Sequence, residues 1–132
     1  MTNLLDLTGK KALVTGGSRG IGHRLAQALH DAGAEVVFFY NSTCPDGLAE
    51  QMQGNGPAVH AVRCNVADRK ALEHGVTAAA DLLGGRIDIL INAAGINRRY
   101  WLEDFPTEEW DAVINTNLNA AVYCTQLVGK YM

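Results

Sequence analysis

Residues 14–22, Val-Thr-Gly-Gly-Ser-Arg-Gly-Ile-Gly, join a short apolar run to a helical repeat through a turn that is mostly glycine. Few architectures use such a join. Glycine lacks a Cβ, so it takes positive φ and lets a backbone approach another group closely. The N–H groups that open the following helix have no partner within it and face any anion in front of them. The segment therefore reads as a strand, a phosphate-binding turn and a helix, with Gly16, Ser18, Arg19, Gly20, Ile21 and Gly22 as candidate contacts. The same glycines would equally serve as a plain tight connection. A competing pattern is G-x-S-x-G, matched by Gly16-Gly17-Ser18-Arg19-Gly20, the elbow that presents a nucleophilic serine. That elbow needs an oxyanion loop before it and an acid and a histidine after it, and its place on the first strand argues against it.

Periodicity carries the argument along the chain. Lys11 to Thr15 reads as a strand, followed by a helix with Ile21, Leu25, Ala28, Leu29 and Ala32 as its apolar stripe and Gly33 at its end. Glu35 to Tyr40 is β-branched and aromatic, and turn formers close it. A short helix around Gly47 to Gln53 leads to a third strand over Ala58–Cys64. Asp68 is a suitable N-cap for a helix that buries Leu72, Val76, Ala79, Ala80 and Leu83, and Ile87 to Asn92 forms a fourth strand. The last helix is expected to start with Thr107 as cap and to run almost to Met132. Its apolar stripe, from Trp110 to Val128, is broader than a solvent-facing helix needs. Strands alternating with helices predict a parallel sheet covered on both faces, in one domain spanning 1–132.

Composition narrows the function classes. A hydrophobic content of 48% with 19% charged residues is that of an ordinary globular chain, and a net charge of −3 with scattered basic residues argues against nucleic acid as a partner. No leader-like segment or membrane-length apolar run is evident, so a cytoplasmic location is expected. Cys44, Cys64 and Cys124 are odd in number and widely spaced, which suggests reduced, buried thiols; no metal site is expected from these or from the histidines.

Three ordered motifs resemble those of the short-chain dehydrogenase/reductase family. Thr15, Gly16, Gly20 and Gly22 match its T-G-x-x-x-G-x-G turn. Asn92-Ala93-Ala94-Gly95 matches its N-A-A-G turn after strand four, and Asn117-Leu118 its N-L motif in the next helix. The resemblance implies a Rossmann-like, doubly wound α/β sheet, here truncated after about four strands, and hydride transfer between a nicotinamide and an alcohol or carbonyl. It places Asn92, Ala93, Ala94 and Gly95 at the cofactor. It also gives Asn117 a catalytic role, positioning a water and a lysine in a proton relay. Asn65-Val66 stands where the family often has Asp-Val reading the adenine, and an amide can still bond the adenine edge.

Cofactor choice depends on the end of strand two, where an acidic residue would accept hydrogen bonds from the ribose and repel a 2′-phosphate. Tyr40, Asn41 and Ser42 stand there instead, and Arg19 can pair with a phosphate. NADP is therefore expected in preference to NAD.

The family's proton donor is a tyrosine followed four residues later by a lysine, and this sequence has no Y-x-x-x-K. The resemblance thus covers an N-terminal, cofactor-binding portion, and the isolated chain is expected to be inactive. Gly95 to Arg99 resembles the sugar-acid branch of the family, such as gluconate dehydrogenases, with Arg98 or Arg99 facing a carboxylate. A 3-oxoacyl-type reductase and a non-enzymatic dinucleotide-binding protein are the alternatives. Family precedent and the broad apolar stripe make a homo-oligomeric parent the expectation.

Overall fold

A computed structural model describes residues 3–132. Strands β1 (Lys11–Thr15), β2 (Glu35–Tyr40), β3 (Val59–Arg63) and β4 (Ile89–Asn92) form one parallel sheet in the order β3-β2-β1-β4. Helices α1 (Gly20–Asp31), α2 (Leu48–Gln53) and α3 (Arg69–Leu82) connect them, and α4 (Thr107–Ile114) and α5 (Ala120–Gly129) follow. The chain builds outward from β1 to β3, then returns to the other side of β1 to place β4. That reversal leaves a crevice at the C-terminal ends of β1 and β4, where open α/β sheets bind ligands.

Both faces of the sheet are covered. Leu13, Val37 and Phe39 pack with α3 and α5 on one side, and Ala12, Val14, Val36 and Phe38 pack with α1 and α2 on the other. Burial on both faces is why β1 and β2 read as continuous apolar runs, without the alternation of a half-exposed strand. Asp68 caps α3 as its position predicts, accepting from the N–H groups of Lys70 and Ala71.

Several expectations change in the structure. Helix α1 turns to bury Gly22, Ala26 and His30 and leaves Ile21 78% exposed, so the expected stripe is out of phase. The cause is close packing: a Cβ on Gly22 would lie 2.0 Å from the Gly16 carbonyl oxygen, so only glycine fits against the turn. His30 donates from Nε2 to the Pro57 carbonyl at 2.9 Å and ties α1 to the loop before β3.

Thr107 is not a cap. Pro106 takes the N-cap position with φ −61°, and the Thr107 side chain makes no capping bond. Pairing of β4 starts at Ile89; just before it the Ile87 N–H donates to the Tyr131 carbonyl and the Asp88 N–H to the Lys11 carbonyl. The last helix is interrupted by a π turn over Asn115–Asn119. Its broad stripe divides accordingly: Val128 enters the core together with Ala120 and Cys124, which the expected stripe does not include, while Trp110, Leu118 and Val122 remain about half exposed, at 50%, 56% and 48%. Cys64 and Cys124 are buried free thiols, but Cys44 is only partly covered.

Candidate functional site

The turn after β1 is fixed by contacts that only glycine permits. Gly16 has φ +63°, and a Cβ there would come within 2.8 Å of the Ala94 Cα, so the turns after β1 and β4 almost touch. Gly17 lies against Phe38 and donates its N–H to the Phe39 carbonyl at 2.9 Å. Gly20 also needs positive φ, but the space where its Cβ would stand is open. The first turn of α1 begins here, so its leading N–H groups, those of Gly20, Ile21 and Gly22, have no acceptor within the helix.

The turn after β4 is held by side chains. Thr15 Oγ1, on a residue 2% exposed, accepts from the N–H groups of both Ala93 and Ala94 at 3.1 Å. Asn117 grips the next residues: its Oδ1 accepts from the Ile96 N–H at 2.8 Å and its Nδ2 donates to the Ile96 carbonyl at 2.9 Å. The amide that the sequence assigned to a water and a lysine thus has the Ile96 backbone as its partner. Further along, Arg98 Nε donates to Glu109 Oε2 at 2.7 Å, and Phe105 packs between Tyr100 and Trp110.

Between these turns lies a cleft of about 610 Å³ at the C-terminal edge of the sheet. Gly16, Ser18, Arg19, Gly20, Ile21 and Gly22 line one wall, Tyr40, Asn41 and Ser42 the end beyond β2, Asn65 and Val66 the floor beyond β3, and Ala93, Ala94 and Gly95 the opposite wall. The exposure of Ile21 is explained by its place on that wall. Asn92 is the exception among the expected contacts. It lies beneath the wall, donating to Thr125 Oγ1 at 3.2 Å, and lines a separate void of about 10 Å³ with Thr15, Thr116 and Cys124.

Some lining groups are already engaged. Ser18 Oγ donates to the Thr43 carbonyl at 3.0 Å, which closes the turn onto the loop after β2. Asn65 Oδ1 accepts from the Ala67 N–H at 3.1 Å, leaving its Nδ2 for a ligand. The sequence reading missed Cys64, Ile96 and Thr116, which also face the cleft, and gave Arg98 no place at the cofactor. Burial pushes the Cys64 thiol up to about 11, so it stays a neutral lining group at pH 7. Among the described residues, no three His, Cys, Asp or Glu side chains converge as metal ligands, and no helix is long and apolar enough to cross a membrane.

A doubly wound sheet with this turn and crevice narrows the family, and the sequence match decides it: residues 10–132 match the short chain dehydrogenase family. The chain belongs to that family. It is 42% identical over 131 residues to gluconate 5-dehydrogenase of Gluconobacter oxydans, a match covering 98% of this chain and 51% of the relative. It is 41% identical over 128 residues to a 3-oxoacyl-[acyl-carrier-protein] reductase of Synechocystis, covering 96% of this chain and 51% of that protein. Among solved structures, a short chain dehydrogenase of Burkholderia cenocepacia in complex with NADP superposes with a TM-score of 0.90 at 35% identity, covering 96% of this chain and 52% of that one. The chain thus spans about half the length of the relatives it matches. Its fold and crevice are those of the family's NAD(P)-dependent oxidoreductases.

Proposed function

We propose that this chain is the cofactor-binding portion of an NAD(P)-dependent oxidoreductase that interconverts an alcohol and a carbonyl, with NADP(H) preferred. The observation that carries the reading is the cradle itself. Gly16 and Gly22 bring β1, α1 and the turn after β4 closer than any Cβ would allow, and the unpaired N–H groups at the start of α1 border the resulting cleft. Such groups suit a pyrophosphate. Gly16 to Gly22 would hold the phosphates, Asn65 and Val66 the adenine end, and Ala93 to Gly95 the far end of the cofactor.

When bound, the nicotinamide supplies or accepts the hydride. Asn117 keeps the Ile96 backbone in place beside it, and its proposed part in catalysis is this positioning. The 132 residues contain no Y-x-x-x-K, so the chain by itself binds and does not transfer a proton.

Arg98 supports a sugar acid as the substrate. It reaches the cleft from the loop after β4 with its Nε held by Glu109 and its Nη1 donating to the Asn97 carbonyl, which leaves Nη2 for a carboxylate. Gluconate 5-dehydrogenase, one of the relatives, acts on such a molecule by name.

Titration with NADPH and NADH, followed by cofactor fluorescence, tests the reading. Saturable binding of both with NADPH tighter is the expected result, with no turnover of carbonyl compounds by the chain alone. Binding of neither would overturn the cradle.

A further inference from the structure

The cleft has a charge pattern of its own. Its lining includes Arg19 and Arg98 and no carboxylate, although the chain as a whole carries a net charge of −3; Arg98 is ion-paired with Glu109 just outside the lining, whereas Arg19 is in no ion pair among the described residues. A third arginine, Arg63, is not in the lining but adjoins it: it precedes the lining residue Cys64 and bonds the lining residue Asn41. Tyr40, the last residue of β2, pairs in register with Arg63, the last residue of β3. Arg63 is exposed, and its Nε donates to the Asn41 carbonyl at 3.1 Å, across 22 residues of sequence. That bond uses one of five guanidinium donors, and among the described residues both terminal nitrogens lack a protein partner.

The loop that Arg63 grips is the one that decides between the two cofactor forms. Asn41 and Ser42 line the cleft where an acidic residue would otherwise receive the ribose hydroxyls. Arg19 borders the same cleft from the start of α1, with an extended backbone and no capping bond from its side chain. We propose that Arg63 is a second cation for the 2′-phosphate of NADP(H), acting with Arg19 beside the Asn41–Ser42 loop. The sequence alone offers only Arg19, because Arg63 lies 44 positions away and is brought to the site by strand pairing. A phosphate facing two guanidinium groups gains charge-assisted bonds that a bare ribose cannot make. Arg63 therefore sets preference and leaves the shared parts of the cofactor alone.

The inference rests on the reading of the cleft as a dinucleotide site, and one set of titrations separates the two. The wild-type chain, Arg63→Gln, Arg63→Lys and Arg19→Gln are each titrated with NADPH and NADH at low and high salt, with circular dichroism as the check on folding. Arg63→Gln is expected to weaken NADPH binding about tenfold, to leave NADH unchanged and to flatten the salt dependence of NADPH binding. Arg63→Lys, which keeps the charge, is expected to retain most of the preference. Equal weakening of both cofactors in Arg63→Gln would make Arg63 a holder of the loop only and overturn the inference. No change with either cofactor would overturn it as well, while leaving the cleft reading intact if the wild type binds. A wild-type chain that binds neither form overturns the cleft reading first and this inference with it.

Discussion

Residues 16–22 and residues 93–98 face each other across the cleft and are fixed in opposite ways. The first wall is held by backbone contact: Gly16 against Ala94, Gly17 against Phe38, Gly22 under the Gly16 carbonyl. The second is held by polar side chains reaching from elsewhere, with Thr15 on two amides, Asn117 on both sides of the Ile96 backbone and Glu109 on Arg98. Such a wall has no slack at Gly16 and Gly22, where a single added methyl meets main chain. A wall built by hydrogen bonds can lose one of its outer bonds and relax, because Asn117 and the Arg98–Glu109 pair are substantially exposed and water can replace a partner there, whereas Thr15 is buried beneath them. On the proposed reading, the rigid wall would face the phosphates of the cofactor, and the adjustable stretch around Ile96 and Arg98 would lie nearest the substrate.

Four substitutions test this contrast. Gly22→Ala should do the most damage, because its Cβ would sit 2.0 Å from a carbonyl oxygen that the turn cannot move. We expect a loss of about 3 kcal/mol in chemical denaturation, with cofactor binding abolished. Stability within experimental error of the wild type would mean that the first wall has slack after all. Thr15→Val keeps the shape and removes the buried acceptor of two part-buried amides of the opposite wall, for an expected loss of about 2 kcal/mol by the same measurement.

Asn117→Leu is expected to cost about 1 kcal/mol, with the fold intact. Its signature is local, as faster hydrogen exchange at the Ile96 amide with protection in β1 and β2 unchanged. Global unfolding of this variant would erase the distinction between the walls. Smallest of all is Glu109→Gln. The Arg98–Glu109 pair is substantially exposed, so its removal should shift stability by about 0.5 kcal/mol or less, and only at low salt.

The same contrast explains what the sequence could convey. Glycines at 16, 17, 20 and 22 cluster within seven residues, so the first wall is readable from one short segment, although only Gly16 and Gly22 turn out to lie against main chain and Gly20 faces open space. The alternating strands and helices and the Asp68 cap were readable for the same reason, because each is a local pattern. Thr15 was visible as part of a motif, but its bonds to Ala93 and Ala94 span 78 and 79 residues and follow from strand pairing. Asn117 is marked by the N-L motif, yet nothing nearby in sequence identifies Ile96 as its partner. The phase error in α1 has the opposite origin. Hydrophobicity assigned Ile21 to the core, whereas packing against the turn required the smallest residue there and sent the isoleucine to the cleft. Thr107 lost its capping role to Pro106, whose ring already fixes the entry angle of α4.

The π turn at Asn115–Asn119 works as a phase adjuster between two stretches of one long helix. It takes up one residue more than an α turn, which rotates everything after it by about 100° relative to an unbroken helix. Because of that offset, α5 can seat Ala120, Cys124 and Val128 in the core while α4 keeps Glu109 and Trp110 turned toward the loop after β4. Deleting one residue from this turn would restore a regular helix and force a choice between the two alignments. The chain would keep its core or its adjustable wall, but not both.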